Sequence, residues 1–149
     1  MTDRNLLSPC GLYCGVCGIR AAFLSENPKF IDAMAKAYGV RSDEIRCFGC
    51  FSQEPFVYCR MCPIKSCIQE KQLDGCHLCD DWPCEKVESF PFAPAKSEMQ
   101  RAVPVRRKLG DDAWAEHEVK WFSCQSCGAE LFRGARRCRT CGQDWQPPQ

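Results

Sequence analysis

The residues best suited to chemistry in this chain are its cysteines, which number fifteen among 149 residues. Most of them form C-x2-C pairs, at positions 14/17, 47/50, 59/62, 76/79, 124/127 and 138/141. Such a pair turns two sulfurs toward one centre, and two pairs complete the tetrahedral site that Zn²⁺ prefers. The cysteine number is odd, and the N-terminus lacks the basic and apolar regions of a signal peptide. We therefore expect thiolate–metal sites in a reducing cytoplasm rather than disulfides.

The stretch from Cys59 to Cys84 repeats one spacing, C-x4-C after C-x2-C, in two halves that are separated by eight residues. Six sulfurs in this arrangement allow two interpretations. Bridging by Cys59 and Cys76 would let the six hold two ions, whereas one ion shared by the two C-x2-C pairs would leave Cys67 and Cys84 unused. His77 lies inside the second half and is a further candidate ligand, although sulfur is available for every place it would fill.

Two more four-cysteine sites are predicted on either side of this repeat. Before it, the pair 14/17 is the nearest partner for the pair 47/50, and Cys10 remains as a fifth thiol. After it, the pairs 124/127 and 138/141 lie ten residues apart and each is followed by glycine, which predicts a zinc ribbon on short β-hairpins. We expect three or four zinc ions per chain, and the candidate metal ligands are Cys10, Cys14, Cys17, Cys47, Cys50, Cys59, Cys62, Cys67, Cys76, Cys79, Cys84, Cys124, Cys127, Cys138 and Cys141.

The first eleven cysteines occur in the runs Ser-Pro-Cys-Gly-Leu-Tyr-Cys-Gly-Val-Cys, Cys-Phe-Gly-Cys, Cys-Arg-Met-Cys-Pro-Ile-Lys-Ser-Cys and Cys-His-Leu-Cys-Asp-Asp-Trp-Pro-Cys-Glu-Lys. In this order they resemble the prokaryotic "domain of unknown function 3795" family over about residues 7–90. The resemblance implies a cytosolic, zinc-binding prokaryotic protein and brings no activity with it. The segment behind it resembles a generic zinc ribbon.

The elements that must position these cysteines are short. Asn27, Pro28 and Gly39 are start and stop signals of one helix, Pro63 begins another, and a third is expected after Pro83. Ser97 is the predicted cap of a helix that runs through Leu109. We expect a small metal-organised α+β fold with short helices around zinc knuckles, divided into a cysteine-rich domain (1–92), linking helices (93–120) and a C-terminal β zinc ribbon (121–149).

Charge and composition restrict the function without naming it. The net charge is +1, with −2 in residues 1–95 (ten Lys/Arg, twelve Asp/Glu) and +3 in residues 96–149 (ten and seven). No apolar stretch approaches the length of a membrane span. With only two histidines and no clear base beside an open metal position, an enzyme is the less favoured class.

Three functional interpretations remain at this stage. The favoured one is a zinc-binding adaptor with structural metals and an unidentified protein partner. The second is a nucleic-acid-binding protein, because arginines 133, 136, 137 and 139 lie near aromatic residues that could stack on bases. The third is an iron–sulfur protein, since sets of four cysteines also serve iron.

Overall fold

The structure is a computed structural model that describes residues 1–149. Its regular structure is helical. The chain forms seven α-helices and four short 3₁₀ helices, and the 3₁₀ helices are Arg4–Leu6, Cys14–Val16, Ser42–Glu44 and Cys76–Leu78. The α-helices are α1 (Gly18–Ser25), α2 (Pro28–Tyr38), α3 (Val57–Arg60), α4 (Pro63–Glu70), α5 (Glu85–Glu88), α6 (Ala93–Leu109) and α7 (Asp111–Trp121). None of the helices combines the length and the apolar character that a bilayer crossing demands.

Helix α2 has the ends that its sequence predicts. The Asn27 side chain accepts hydrogen bonds from the backbone N–H groups of Lys29 (3.0 Å) and Phe30 (3.4 Å), and Pro28 occupies the first turn. Gly39 ends the helix with φ +67°, a left-handed conformation that glycine adopts without a steric penalty. Both signals act within a few residues, so the sequence was sufficient to place this helix.

Helix α6 begins earlier than predicted. It starts at Ala93 with Pro94 in its first turn, so Ser97 lies inside the helix and does not cap it. Pro104 also lies inside α6, and the helix continues past it to Leu109. Gly110, with φ +79°, connects α6 to α7.

The apolar side chains pack in three separate cores. The first core joins the N-terminal segment to α6 and α7, the second surrounds α1 and α2, and the third lies between α4, α5 and α6. Each core contains seven buried residues. Those of the first core are Leu7, Tyr13, Val16, Ala102, Trp114, Ala115 and Phe122. Those of the second are Ile19, Ala22, Phe30, Ala35, Ile45, Cys47 and Phe56, and those of the third are Ile64, Ile68, Cys76, Cys79, Val87, Met99 and Val103. Cysteines therefore belong to the second and third cores, and the first core has none.

Helices α6 and α7 are joined by a buried ion pair. Both terminal nitrogens of Arg101 donate to the Glu118 carboxylate, at 3.0 Å and 2.6 Å. Glu118 is 1% exposed, so its carboxylate depends on Arg101 and on His117 Nδ1, 3.3 Å away, in place of water. The Arg101 guanidinium also lies 4.4 Å from the centre of the Trp121 ring, which adds a cation–π contact.

The predicted α+β fold with a C-terminal β zinc ribbon is wrong. The structure contains no β-strand, only the isolated bridges Cys17↔Arg133, Ser123↔Glu130 and Arg137↔Asp144. Between the two C-terminal knuckles, the backbone N–H of Leu131 donates to Phe122 (2.9 Å) and that of Arg133 donates to Val16 (2.6 Å). The Leu131–Phe122 bond belongs to the single bridge Ser123↔Glu130 within the C-terminal segment, whereas the Arg133 donor is used outside the segment, so the pairing does not continue as a ladder.

Residues 121–149 also make side-chain contacts with the amino-terminal part of the chain. Arg133 donates to the Tyr13 carbonyl at 3.1 Å, and the rings of Phe132 and Phe30 lie 5.0 Å apart. Arg139 lies over the same Phe30 ring, 4.7 Å from its centre. The boundaries 1–92, 93–120 and 121–149 stay a prediction, and these contacts place the last of the three segments against α2.

Candidate metal centres

Four cysteines near the C-terminus form a group that could bind a metal ion. The sulfurs of Cys124, Cys127, Cys138 and Cys141 all lie within 4.8 Å of one another. Cys124 and Cys141 are 3.5 Å apart, and Cys127 and Cys138 are 3.7 Å apart. With Zn–S bonds of about 2.3 Å, the sulfurs of a tetrahedral site are separated by about 3.8 Å. The group therefore has the size that a single tetrahedral ion requires.

Two equivalent turns produce this geometry. In each, the glycine after the second cysteine donates its backbone N–H to the carbonyl of the first: Gly128 to Cys124 at 2.8 Å, and Gly142 to Cys138 at 2.9 Å. Both glycines have positive φ, +76° and +79°. The C-x2-C-Gly pattern thus determines the turn locally, which explains why the sequence predicted the grouping of these four cysteines.

Backbone N–H groups also favour the thiolate form that a metal needs. In Cys138, hydrogen bonds from the backbone of its own knuckle, that of Cys141 first, lower the thiol pKa to about 6. The pKa of Cys124 is lowered in the same way, first by the backbone N–H of Cys127. Hydrogen bonds to sulfur stabilise the thiolate, so each knuckle contains one cysteine whose thiol pKa is lowered.

A second set of thiols meets between α4 and α5. Four cysteines, Cys67, Cys76, Cys79 and Cys84, line one cavity of about 20 Å³. Burial raises the pKa of Cys76 to about 12, and the thiols of Cys10, Cys84, Cys79 and Cys67 add to the rise. These sulfurs are less compact than the C-terminal group, since no other three ligand atoms of the chain lie within 4.8 Å of one another.

The remaining seven cysteines lie in the amino-terminal half of the chain, and they are Cys10, Cys14, Cys17, Cys47, Cys50, Cys59 and Cys62. Burial raises the pKa of Cys59, and the thiols of Cys50, Cys17 and Cys47 raise it further. The pKa of Cys50 is raised to about 12, first by burial and then by the nearby Cys10 thiol. The predicted partners therefore lie near one another, but the structure adds Cys59 to them. Assignment of these seven as ligands stays a prediction.

His77 is buried on the side of the knuckle that faces α6 and α7. Its Nε2 lies 3.6 Å from an Asp111 carboxylate oxygen, and it does not line the thiol cavity. Burial lowers the pKa of the ring, and the nearby Arg106 guanidinium lowers it further. A neutral imidazole packed against Arg106 and Asp111 explains this histidine without a metal.

Two basic residues contribute to the knuckle formed by Cys76 and Cys79, and sequence patterns did not identify either. Arg107 of α6 donates to the carbonyls of His77 at 2.8 Å and Cys79 at 3.0 Å. Lys71 places its Nζ 3.3 Å from the Cys79 sulfur and also pairs with Asp81. A lysine eight residues before a cysteine carries no motif, so only the structure reveals this contact.

Three of the four arginines of the predicted nucleic-acid surface make side-chain contacts within the chain. Arg133 donates to Tyr13, and Arg139 lies over Phe30. Arg137 donates to the Gly142 carbonyl at 2.7 Å. Among the four, Arg136 is exposed and its side chain makes no hydrogen bond or ion pair in the structure. Arg137 and Arg139 are also exposed, and a role of the four arginines in nucleic-acid binding stays a prediction.

Comparison with known proteins identifies a family without an activity. A family model described as "Protein of unknown function (DUF3795)" matches residues 6–89. This match confirms the resemblance that the order of the first eleven cysteines indicates. No curated protein and no solved structure matches the chain.

Proposed function

The chain belongs to the DUF3795 family, whose function is unknown, and we propose that it is a zinc-binding protein with structural metals that acts as an adaptor for a partner protein. The compact group of four sulfurs at Cys124, Cys127, Cys138 and Cys141 carries this proposal. Four protein ligands complete the coordination of Zn²⁺ and leave no position for water or substrate. A closed site of this kind stabilises structure and does not catalyse a reaction.

The thiol chemistry supports zinc in a reducing compartment. All fifteen cysteines are free thiols in the structure, and none is paired in a disulfide. Reduced thiols in such numbers fit the cytoplasm, where they can serve as metal ligands. We propose three or four zinc ions per chain, one of them bound by the C-terminal group.

Exposed apolar residues in the knuckles favour a protein as the partner. Phe48, Met61 and Leu78 each lie between the two cysteines of a C-x2-C pair, and they are 44%, 84% and 52% exposed. Metal binding would hold these residues at the tips of rigid turns. Apolar residues at rigid exposed positions suit a protein surface better than a phosphate backbone.

Metal analysis of the purified full-length chain tests the first part of the proposal. We expect a colourless protein with three or four equivalents of zinc by mass spectrometry of the metal, and loss of one equivalent in Cys138→Ser. Visible absorption with stoichiometric iron would instead support the iron–sulfur alternative. Zinc below three equivalents in the wild type would contradict the proposed count, and zinc below one equivalent would contradict zinc binding by the C-terminal group.

Cross-linking in cell extract tests the adaptor role. We expect the triple variant Phe48→Ser/Met61→Ser/Leu78→Ser to keep its zinc and to lose a partner that the wild type captures. A matched control, Leu24→Ser/Leu109→Ser, changes exposed leucines away from the knuckles and should keep that partner. Equal capture by both variants would contradict the role assigned to the knuckle tips.

The nucleic-acid alternative makes a different prediction. Binding through the C-terminal arginines would weaken steeply with salt and would decrease in Arg136→Glu, which changes the most available of them. Retention of RNA or DNA by the wild type at moderate salt, together with its loss in this variant, would favour nucleic acid over protein.

A further inference from the structure

The cavity between α4 and α5 has the composition of a metal site. Its walls are four thiols, the apolar side chains of Ile64, Ile68, Trp82 and Val87, and the two lysines Lys71 and Lys86. A volume of about 20 Å³ holds a single water-sized sphere, for which about 10–15 Å³ is the minimum. The apolar walls offer no hydrogen bonds to a water molecule, so the four cysteines are the lining residues suited to a metal ion. No three of their sulfurs lie within 4.8 Å of one another, so an ion would have to draw them closer together.

Three separate elements bring the sulfurs to this space. Cys67 lies in the second turn of α4, and Cys84 occupies the N-cap position of α5. Between them, the 3₁₀ turn Cys76–Leu78 presents Cys76 and Cys79, with the Cys79 N–H donating to the Cys76 carbonyl at 3.1 Å. One C-x2-C pair and two single cysteines from flanking helices give the four ligands that a tetrahedral zinc site needs.

The lysines provide the charge balance of such a site. Zn²⁺ bound by four thiolates carries a net charge of −2, which is costly in apolar surroundings. Lys71 contacts the Cys79 sulfur at 3.3 Å, and Lys86 also lines the cavity. Lys71 also pairs with the exposed Asp81, so the two lysines would offset part of the negative charge of the site.

We infer that Cys67, Cys76, Cys79 and Cys84 form one mononuclear four-thiolate zinc site, which rests on the zinc binding proposed above. The second half of the repeat then takes its fourth ligand from the first half. Cys59 and Cys62 do not line this cavity, and the thiols that act on Cys59 belong to the amino-terminal set. This arrangement differs from both interpretations of the repeat, the bridged cluster and the shared pair of knuckles.

Thiol alkylation of the native, zinc-loaded full-length protein separates the three arrangements without any substitution. Peptide mass spectrometry would follow each cysteine while a chelator is added in steps. We expect Cys67, Cys76, Cys79 and Cys84 to be protected at first and to become reactive together. Free labelling of Cys67 and Cys84 in the loaded protein would overturn the inference, as would release of all six repeat cysteines in one step.

Two substitutions sharpen the test. Cys84→Ser should lower the zinc content by one equivalent and expose Cys76 and Cys79 to alkylation. The matched control Cys59→Ser should leave Cys76 and Cys79 protected, whereas a bridged cluster would expose them. Exposure in Cys59→Ser would therefore overturn the inference. Because the native alkylation series uses unaltered protein, misfolding of either variant leaves the inference testable.

The failures of the two proposals are distinguishable. If the wild type held zinc at Cys124–Cys141 alone, both the amino-terminal zinc binding and this site would fall. If it held three or more ions while Cys67 stayed reactive, only the arrangement inferred here would fall.

Lys71→Ala tests the charge balance. Loss of a group beside the ligands typically weakens metal affinity by about 10–100-fold. We expect unchanged zinc content, faster removal of this one ion by chelator, and earlier labelling of Cys79 than in the control Lys29→Ala, which changes an exposed lysine of α2. Identical kinetics in the two variants would show that Lys71 does not act on the site and would overturn the charge-balance argument.

Discussion

Replacement of Arg101 by methionine is the perturbation whose cost follows most directly from the structure. Arg101 makes two hydrogen bonds to Glu118, which is 1% exposed, so the variant leaves this buried carboxylate with His117 Nδ1, 3.3 Å away, as its remaining partner. Breaking one side of a buried ion pair costs about 3–5 kcal/mol. In a chain of this length, each kcal/mol lowers Tm by roughly 2–4 °C, so we expect a decrease of roughly 10 °C.

The assays are thermal unfolding for Tm and chemical denaturation for the free energy of unfolding, both at fixed free zinc, because metal binding to the native state contributes to the measured stability. The double variant Arg101→Met/Glu118→Leu removes both charges and should recover most of the loss, apart from the cation–π contact with Trp121, worth about 0.5–1 kcal/mol. Arg41→Met is the control, since it breaks an ion pair whose side chains are 75% and 70% exposed and should cost under about 1 kcal/mol. A loss below about 1 kcal/mol in Arg101→Met, or a double variant no more stable than the single one, would refute the reasoning.

Two further substitutions test the packing of the chain. Trp114 is fully buried in the first core, so Trp114→Ala should cost about 3–5 kcal/mol in urea unfolding while zinc content stays constant; a cost below about 1 kcal/mol would contradict the packing. Gly49 has φ +121°, and a Cβ there would lie 2.3 Å from the Asn5 carbonyl oxygen. Gly49→Ala should therefore destabilise the chain by more than about 1 kcal/mol, the order expected for a substitution that the backbone conformation does not fit. It should also speed zinc loss from the amino-terminal cysteines. Gly39→Ala is its control, because Gly39 has positive φ but no neighbour within 4 Å, and equal effects of the two substitutions would contradict the clash.

Local signals were sufficient for some parts of this structure. Helix α2 follows from a capping asparagine, a first-turn proline and a terminal glycine, all of which act within a few residues. The C-terminal sulfur group follows from two C-x2-C-Gly turns that need no distant contact to form. In both cases the residues that determine the geometry are neighbours in the chain.

Other parts depend on contacts that the sequence does not display. The prediction of C-terminal ribbon strands was wrong because backbone donors such as that of Arg133 are used elsewhere. The Arg133 N–H bonds to Val16, more than a hundred residues away in the chain. Two of the arginines proposed for nucleic acid also make contacts within the chain, Arg133 with the Tyr13 carbonyl and Arg139 with the Phe30 ring, and the sequence did not predict these contacts. The grouping of Cys67 with the second knuckle requires α4 and α5 to be packed together, which no spacing rule states.

The division of apolar packing into three small cores has a consequence for the lifetime of the chain in a cell. Only the first core is free of cysteine, so zinc starvation should open the second and third cores while α6 and α7 stay folded. A half-open chain presents apolar segments such as that around Phe56 to cellular proteases. The abundance of the protein would then track the zinc supply through degradation alone, and pulse-chase half-lives in zinc-replete and zinc-depleted cells would reveal it.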